Sequence, residues 1–162
     1  MPRLLPKMRI PGAAFAIVKE AARHLLRRPI VGIAAAARTP DGRWLLIRRA
    51  DMGTWALPGG TLEWGETLRA SIARELAEEA GVDRCEVVRL VGVYSRPDRD
   101  PRFHGVTIVV ECVIDEPVRG PQNPLEIREA RLFAESEIPE SLAMEMQDML
   151  GAARRPGPAV LE

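Results

Sequence analysis

Aromatic residues make up only 4% of the 162 positions, so aliphatic side chains must fill most of any core. There are two cysteines, Cys85 and Cys112, far apart in sequence and without metal-ligand spacing to a histidine. Two cysteines make no disulfide framework. A reducing cytoplasm is therefore the expected compartment, and both thiols are expected as small buried apolar groups. No apolar run approaches the roughly eighteen residues that a membrane span requires. The early apolar stretch is cut by Lys19 and Glu20, which argues against a secretory signal. The chain carries no net charge, which removes any global case for nucleic-acid binding.

That neutrality conceals an asymmetry. Residues 1–30 hold seven basic side chains and one acidic one, so the remainder is acidic by the same margin. Residues 1–29 are expected to form a basic arm containing an amphipathic helix over 12–28, started by Pro11 and stopped by Pro29. It can pack on the domain or on a second subunit. Contact with an anionic membrane surface is the less favoured reading, because the apolar face is modest and lacks Trp. Residues 30–150 suit one domain with one core. Strands are expected over 30–37, 44–47, 54–57, 86–94, 105–114 and 130–133, and a helix over about 67–80. Ser141 is a candidate cap for a last helix bearing Leu142, Met146, Met149 and Leu150. Residues 151–162 are expected as a flexible tail. Mixed strands with interspersed helices predict a layered α/β/α sandwich around a mixed central sheet.

The chemistry concentrates in residues 57–82. A Gly59-Gly60 loop leads through Glu63 and Glu66 into a helix holding Arg74, Glu75, Glu78 and Glu79, with Gly81 placed to cap it. At 100° per residue the three glutamates share an arc of about 100°, beside an apolar stripe of Leu68, Ile72, Leu76 and Ala80. Glu75 and Glu79 repel across one turn, and Glu78 and Glu79 sit where the helix dipole disfavours anions. A hard divalent cation would offset that repulsion, and oxygen-rich sites suit Mg²⁺ or Mn²⁺. Taken alone, the helix also reads as a solvated acidic face.

The glycine loop and Glu66 complete a longer pattern. Gly60, Glu66, Arg74-Glu75-Leu76, Glu78-Glu79 and Gly81-Val82 stand at the spacing G-x5-E-x7-R-E-U-x-E-E-x-G-U, where U is aliphatic. Seven fixed positions at ordinary residue frequencies match one placement by chance about once in 10⁸. The pattern resembles the box of the Nudix hydrolase family, and the flanking strands resemble that family over roughly residues 30–150. The resemblance implies that Glu75, Glu78 and Glu79 are the principal metal ligands, with the Gly59 or Gly60 carbonyl as a further one. It implies that Arg74 orients the glutamates, that Glu66 is an accessory carboxylate, and that one to three divalent ions act on a pyrophosphate. Glu126 and Glu129 resemble the later acidic residues that supply a general base in some members, and they read equally as surface acids before a strand.

Specificity must come from outside the box. Pro97 lies 16 residues beyond Gly81, resembling the proline of many ADP-ribose pyrophosphatases. Arg96, Arg99 and Arg102 around it are candidate contacts for phosphate or a terminal ribose, or parts of a stiff polar hairpin loop. Trp55 is a candidate for base stacking, with packing as its alternative. A small-molecule nucleotide is thus the expected partner, ADP-ribose before a nucleoside triphosphate. Members of that subgroup are often homodimers. RNA 5′-end trimming lacks a strong basic patch in the body. A non-catalytic nucleotide sensor would be expected to lose box carboxylates that this chain keeps.

Overall fold

A computed structural model describes residues 28–162 and, before them, Ile17, Lys19, Glu20 and Ala22. Apart from those four positions, the expected helix over 12–28 lies outside the described residues. The body is α/β. β1 (Ile30–Arg38) pairs in parallel with β5 (Gly105–Ile114), which runs antiparallel to β4 (Cys85–Tyr94). On the other side β1 meets β2 (Trp44–Arg49), which also holds β3 (Trp55–Ala56) and β6 (Ile127–Phe133) in antiparallel pairing. β7 (Val160–Leu161) completes a seven-stranded mixed sheet by adding to β4. Helices α1 (Leu68–Ala80) and α2 (Met146–Ala153) pack on this sheet. Covered strands read as continuous apolar runs, and β1 does so: Ile33 through Ala37 are buried.

Helix α1 begins where the Thr67 hydroxyl accepts from the Ala70 amide at 3.3 Å. It ends at Gly81, whose left-handed backbone (φ 66°) lets its N–H reach the Ala77 carbonyl while the Val82 N–H reaches Leu76. The buried face is Ser71, Ile72, Leu76, Glu79 and Ala80. Leu68, expected on the apolar stripe, is exposed, and a carboxylate stands in the buried row.

Two expectations for the C-terminal region are corrected. Ser141 does not cap the last helix. A 3₁₀ turn over Ala143–Glu145 intervenes, with Met144 and Glu145 both left-handed, and α2 starts only at Met146. Two such non-glycine residues cost roughly 1–2 kcal/mol each. The cost is offset by Arg96, which pairs with the Glu145 carboxylate, and by Arg99, which donates to the Glu145 carbonyl at 3.2 Å. Nor is the chain beyond Gly151 a loose tail. Residues to Ala153 continue α2, and Val160–Leu161 pair with Gly92 and Val93, covering polar groups that an edge strand leaves open. Arg99 Nη2 grips Glu162 at 2.6 Å and holds its carboxyl down at about 2.

Candidate active site

The glycine loop is fixed by main chain. The Ile33 N–H donates to Gly60 O and the Ala35 N–H to Pro58 O, both at 2.8 Å, and the Leu62 N–H donates to Val31 O at 3.0 Å. The loop therefore runs along β1 as though it were a further strand. Helix α1 packs beside it, and the two are tied where the Gly59 N–H donates to Glu79 Oε2 at 2.7 Å.

Arg74 organises the remaining carboxylates. Its Nε and Nη2 donate to the two oxygens of Glu66 at 2.9 and 3.1 Å, and Nη1 donates to Glu75 Oε1 at 3.0 Å and Glu78 Oε2 at 3.5 Å. The bidentate pair holds the Glu66 carboxyl down at about 2. Burial pushes the Glu75 carboxyl up, and the adjacent Arg74 offsets part of that push. Glu79 is 6% exposed. Burial drives its carboxyl up to about 8 against the opposing Gly59 amide, and the neighbouring carboxylates of Glu75 and Glu126 add to the rise.

Glu126 joins this group because its loop is docked. The Gln122 N–H donates to Glu78 O at 2.8 Å, and the Ala50 N–H donates to Glu126 O at 2.8 Å. Glu75, Glu78, Glu79 and Glu126 line one cavity of about 170 Å³ with Gln122 and Asn123. Glu129 does not line it; it lies on β6 opposite Arg48. A neighbouring cleft of about 250 Å³ shares Glu75 and Glu126 and adds Gly59, Gly60, Thr61, Arg49, Asp100, Arg102, Phe103 and Met144.

The four carboxylates of the smaller cavity do not converge on a single point, and no tight group of metal-ligating side chains exists among the described residues. An open all-oxygen set suits a hard ion that keeps several of its waters, so the residues present fit Mg²⁺ or Mn²⁺. Glu79, buried beside the carboxylates of Glu75 and Glu126, points the same way, since a nearby cation is what would let it ionise there.

Of the loop residues expected to touch substrate, only Arg102 reaches the cleft. Arg96 is taken by Asp98 and Glu145, Arg99 by Glu162, and Pro97 is exposed beside them, lining neither cavity. Trp55 meets Phe133 edge-on at 4.8 Å and lines neither cavity, while Trp64 is fully exposed. Arg49 was not singled out from sequence. Nothing distinguishes it from Arg48 until the strand places one of them toward the cleft, where Arg49 binds Asp51 at 2.9 Å.

The raised Glu79 carboxyl sets a stability profile. Below pH 4.5 both folded and unfolded chains hold its proton. Between there and about 8 only the folded chain does, so metal-free stability falls as pH rises through that window and levels above it. Melting temperatures in chelator at several pH values should show this decline, and Glu79→Gln should flatten it. A wild-type profile without the decline would contradict the burial argument.

Residues 27–152 match the family model described as NUDIX domain. A MutT-like protein of Streptomyces ambofaciens is 52% identical over 69 residues, which are 43% of this chain and 44% of that protein. An ADP-ribose pyrophosphatase of Methanocaldococcus jannaschii is 49% identical over 72 residues, 43% of this chain and 42% of that protein. The matched stretch thus spans less than half the length of either relative. The crystal structure of a MutT NUDIX hydrolase from Burkholderia pseudomallei superposes with a TM-score of 0.64 at 30% identity, covering 78% of this chain and 98% of that one.

Proposed function

The chain belongs to the Nudix family, and from that premise we propose that it hydrolyses the pyrophosphate bond of a nucleoside diphosphate derivative with Mg²⁺ or Mn²⁺, ADP-ribose first. The observation that carries this reading is the shared wall: Glu75 and Glu126 line both the carboxylate cavity and the cleft beside the glycine loop. Phosphates lying along that loop would border the metal-binding carboxylates.

Glu75, Glu78 and Glu79 would hold the cation. Once bound, it supplies neutralisation of phosphoryl oxygens and an acidified water. Arg74 keeps Glu66 and Glu75 in place, and the Gly59 amide fixes Glu79. Glu126 is the better placed of the two later acids to take the water's proton, because Glu129 lies outside the cavity. The ADP-ribose preference is supported by the Methanocaldococcus relative and by the spacing of Pro97 from the box, although Pro97 itself lies outside the cleft. Homodimer formation and a cytoplasmic setting belong to the same proposal. No helix among the described residues is long and apolar enough to cross a membrane.

The deciding assay supplies ADP-ribose, nucleotide sugars and nucleoside triphosphates separately with Mg²⁺. AMP and ribose 5-phosphate from ADP-ribose, made faster than any other product, are expected. Preferential release of pyrophosphate from a triphosphate would replace the substrate while keeping the site. No turnover of any of them would favour a sensor.

A further inference from the structure

Met144 and Glu145 are the sole non-glycine residues with left-handed backbone among those described, with φ 55° at both. Strain of that kind persists only where the surroundings impose it, and it gathers at functional positions. Here the surroundings are explicit. Arg96 holds the Glu145 carboxylate and Arg99 the Glu145 carbonyl. Arg99 is itself gripped by Glu162 and lies over the Tyr94 ring at 5.2 Å.

The turn delivers a side chain to the cleft. Met144 lines the cavity shared with Glu75 and Glu126, and its Sδ lies 4.0 Å from Arg102 Nη2. Arg102 is poorly placed to act as a free cation for phosphate. Asp100 takes its Nε and Nη2 at 2.9 and 2.8 Å, and Asp51 takes its Nη1 at 3.2 Å. Its guanidinium also lies over the Phe103 ring, 5.2 Å from the centroid. Neutralised by two carboxylates, Arg102 offers a flat stacking surface more than a charge. The cleft's lining is therefore mixed. Gly59, Gly60 and Glu75 bring it polar main chain and a carboxylate, while Met144, Met146, Phe103 and Ile30 bring it apolar surface. A molecule carrying both phosphates and a flat heteroaromatic ring matches that mixture.

We propose that Met144 is a specificity-determining residue that packs against the nucleobase of the substrate, held there by the left-handed turn at 144–145. The proposal rests on the nucleotide reading above and deepens it. A thioether suits the task, because its polarisable sulfur packs on a ring without demanding one orientation.

The test is calorimetric titration of AMP and, separately, ribose 5-phosphate into wild type, Met144→Ala and Met144→Leu. Loss of the side chain should weaken AMP about tenfold, the scale of removing part of an apolar pocket. Ribose 5-phosphate should stay within about twofold, and the volume-conserving Leu variant should retain most of the AMP affinity. In turnover, Met144→Ala should raise KM for ADP-ribose with little change in kcat. Equal weakening of both ligands, or unchanged AMP binding, overturns the proposal. Because AMP binding needs no cleavage, a wild type that binds AMP selectively yet hydrolyses nothing defeats the hydrolase reading alone. A wild type that binds AMP no better than ribose 5-phosphate defeats the Met144 proposal alone.

Discussion

Glu78→Gln should leave the protein folded and remove nearly all of its turnover. The Glu78 side chain is 47% exposed, and its contact with Arg74 is long at 3.5 Å. Removing one exposed, weakly paired charge changes stability by about 0.5 kcal/mol or less. Yet the same carboxylate faces the cavity shared with Glu75, Glu79 and Glu126. An amide cannot replace a carboxylate as an anionic oxygen ligand for a hard cation, so kcat should fall by at least about 100-fold. Steady-state rates with Mg²⁺, read beside melting curves, separate the two effects. Near-normal turnover would take Glu78 out of the metal site. Glu79→Gln is a less clean experiment, because Glu79 also fastens the glycine loop through the Gly59 amide.

Adding one methyl group at either glycine of the loop should give opposite results. At Gly59 (φ 153°) a Cβ would run into the Ile33 carbonyl oxygen and lie 2.8 Å from Ala34 Cα. Both obstacles are main chain of the central strand β1, which has nowhere to go. Gly59→Ala should therefore cost about 3 kcal/mol or more, visible as a large drop in melting temperature or a loss of soluble protein. At Gly60 the Cβ would collide with Glu75 Oε1 and lie 2.7 Å from its Cδ. A carboxylate can swing away, so Gly60→Ala should fold. Glu75 would leave its place beside Arg74, and turnover should drop on the order of 100-fold. A Gly59→Ala protein with wild-type melting would show that the loop is not fastened to β1 as described.

Much of this was legible in the sequence because it depends on local periodicity. The spacing of Glu75, Glu78 and Glu79 and the Gly81 cap follow from helix geometry alone, and they lie where expected. Burial is a different matter. That Glu79 would sit in the buried row while Leu68 stayed exposed depends on where the glycine loop meets the helix, which no window of residues contains. The same limit governed the arginines. Arg96, Arg99 and Arg102 are equivalent on paper, and only distant partners, Glu145, Glu162 and Asp51, decide that the third alone lines the cleft. Glu126 and Glu129 were likewise inseparable until β6 proved to begin at Ile127, leaving Glu126 in the docked loop and Glu129 in the ladder. Ser141 had the right chemistry for a cap but lost to a turn stabilised from across the fold.

Beyond its tie to the Glu79 carboxylate, the loop beneath the cleft owes its position to N–H and C=O groups that nearly every residue possesses. Its location is thus largely indifferent to which side chains its neighbours carry. Substitutions at Thr61, or at Arg102 or Phe103, can alter what the cleft admits without shifting the place where a phosphorus atom would lie. Such a scaffold can keep one reaction while its choice of molecule drifts.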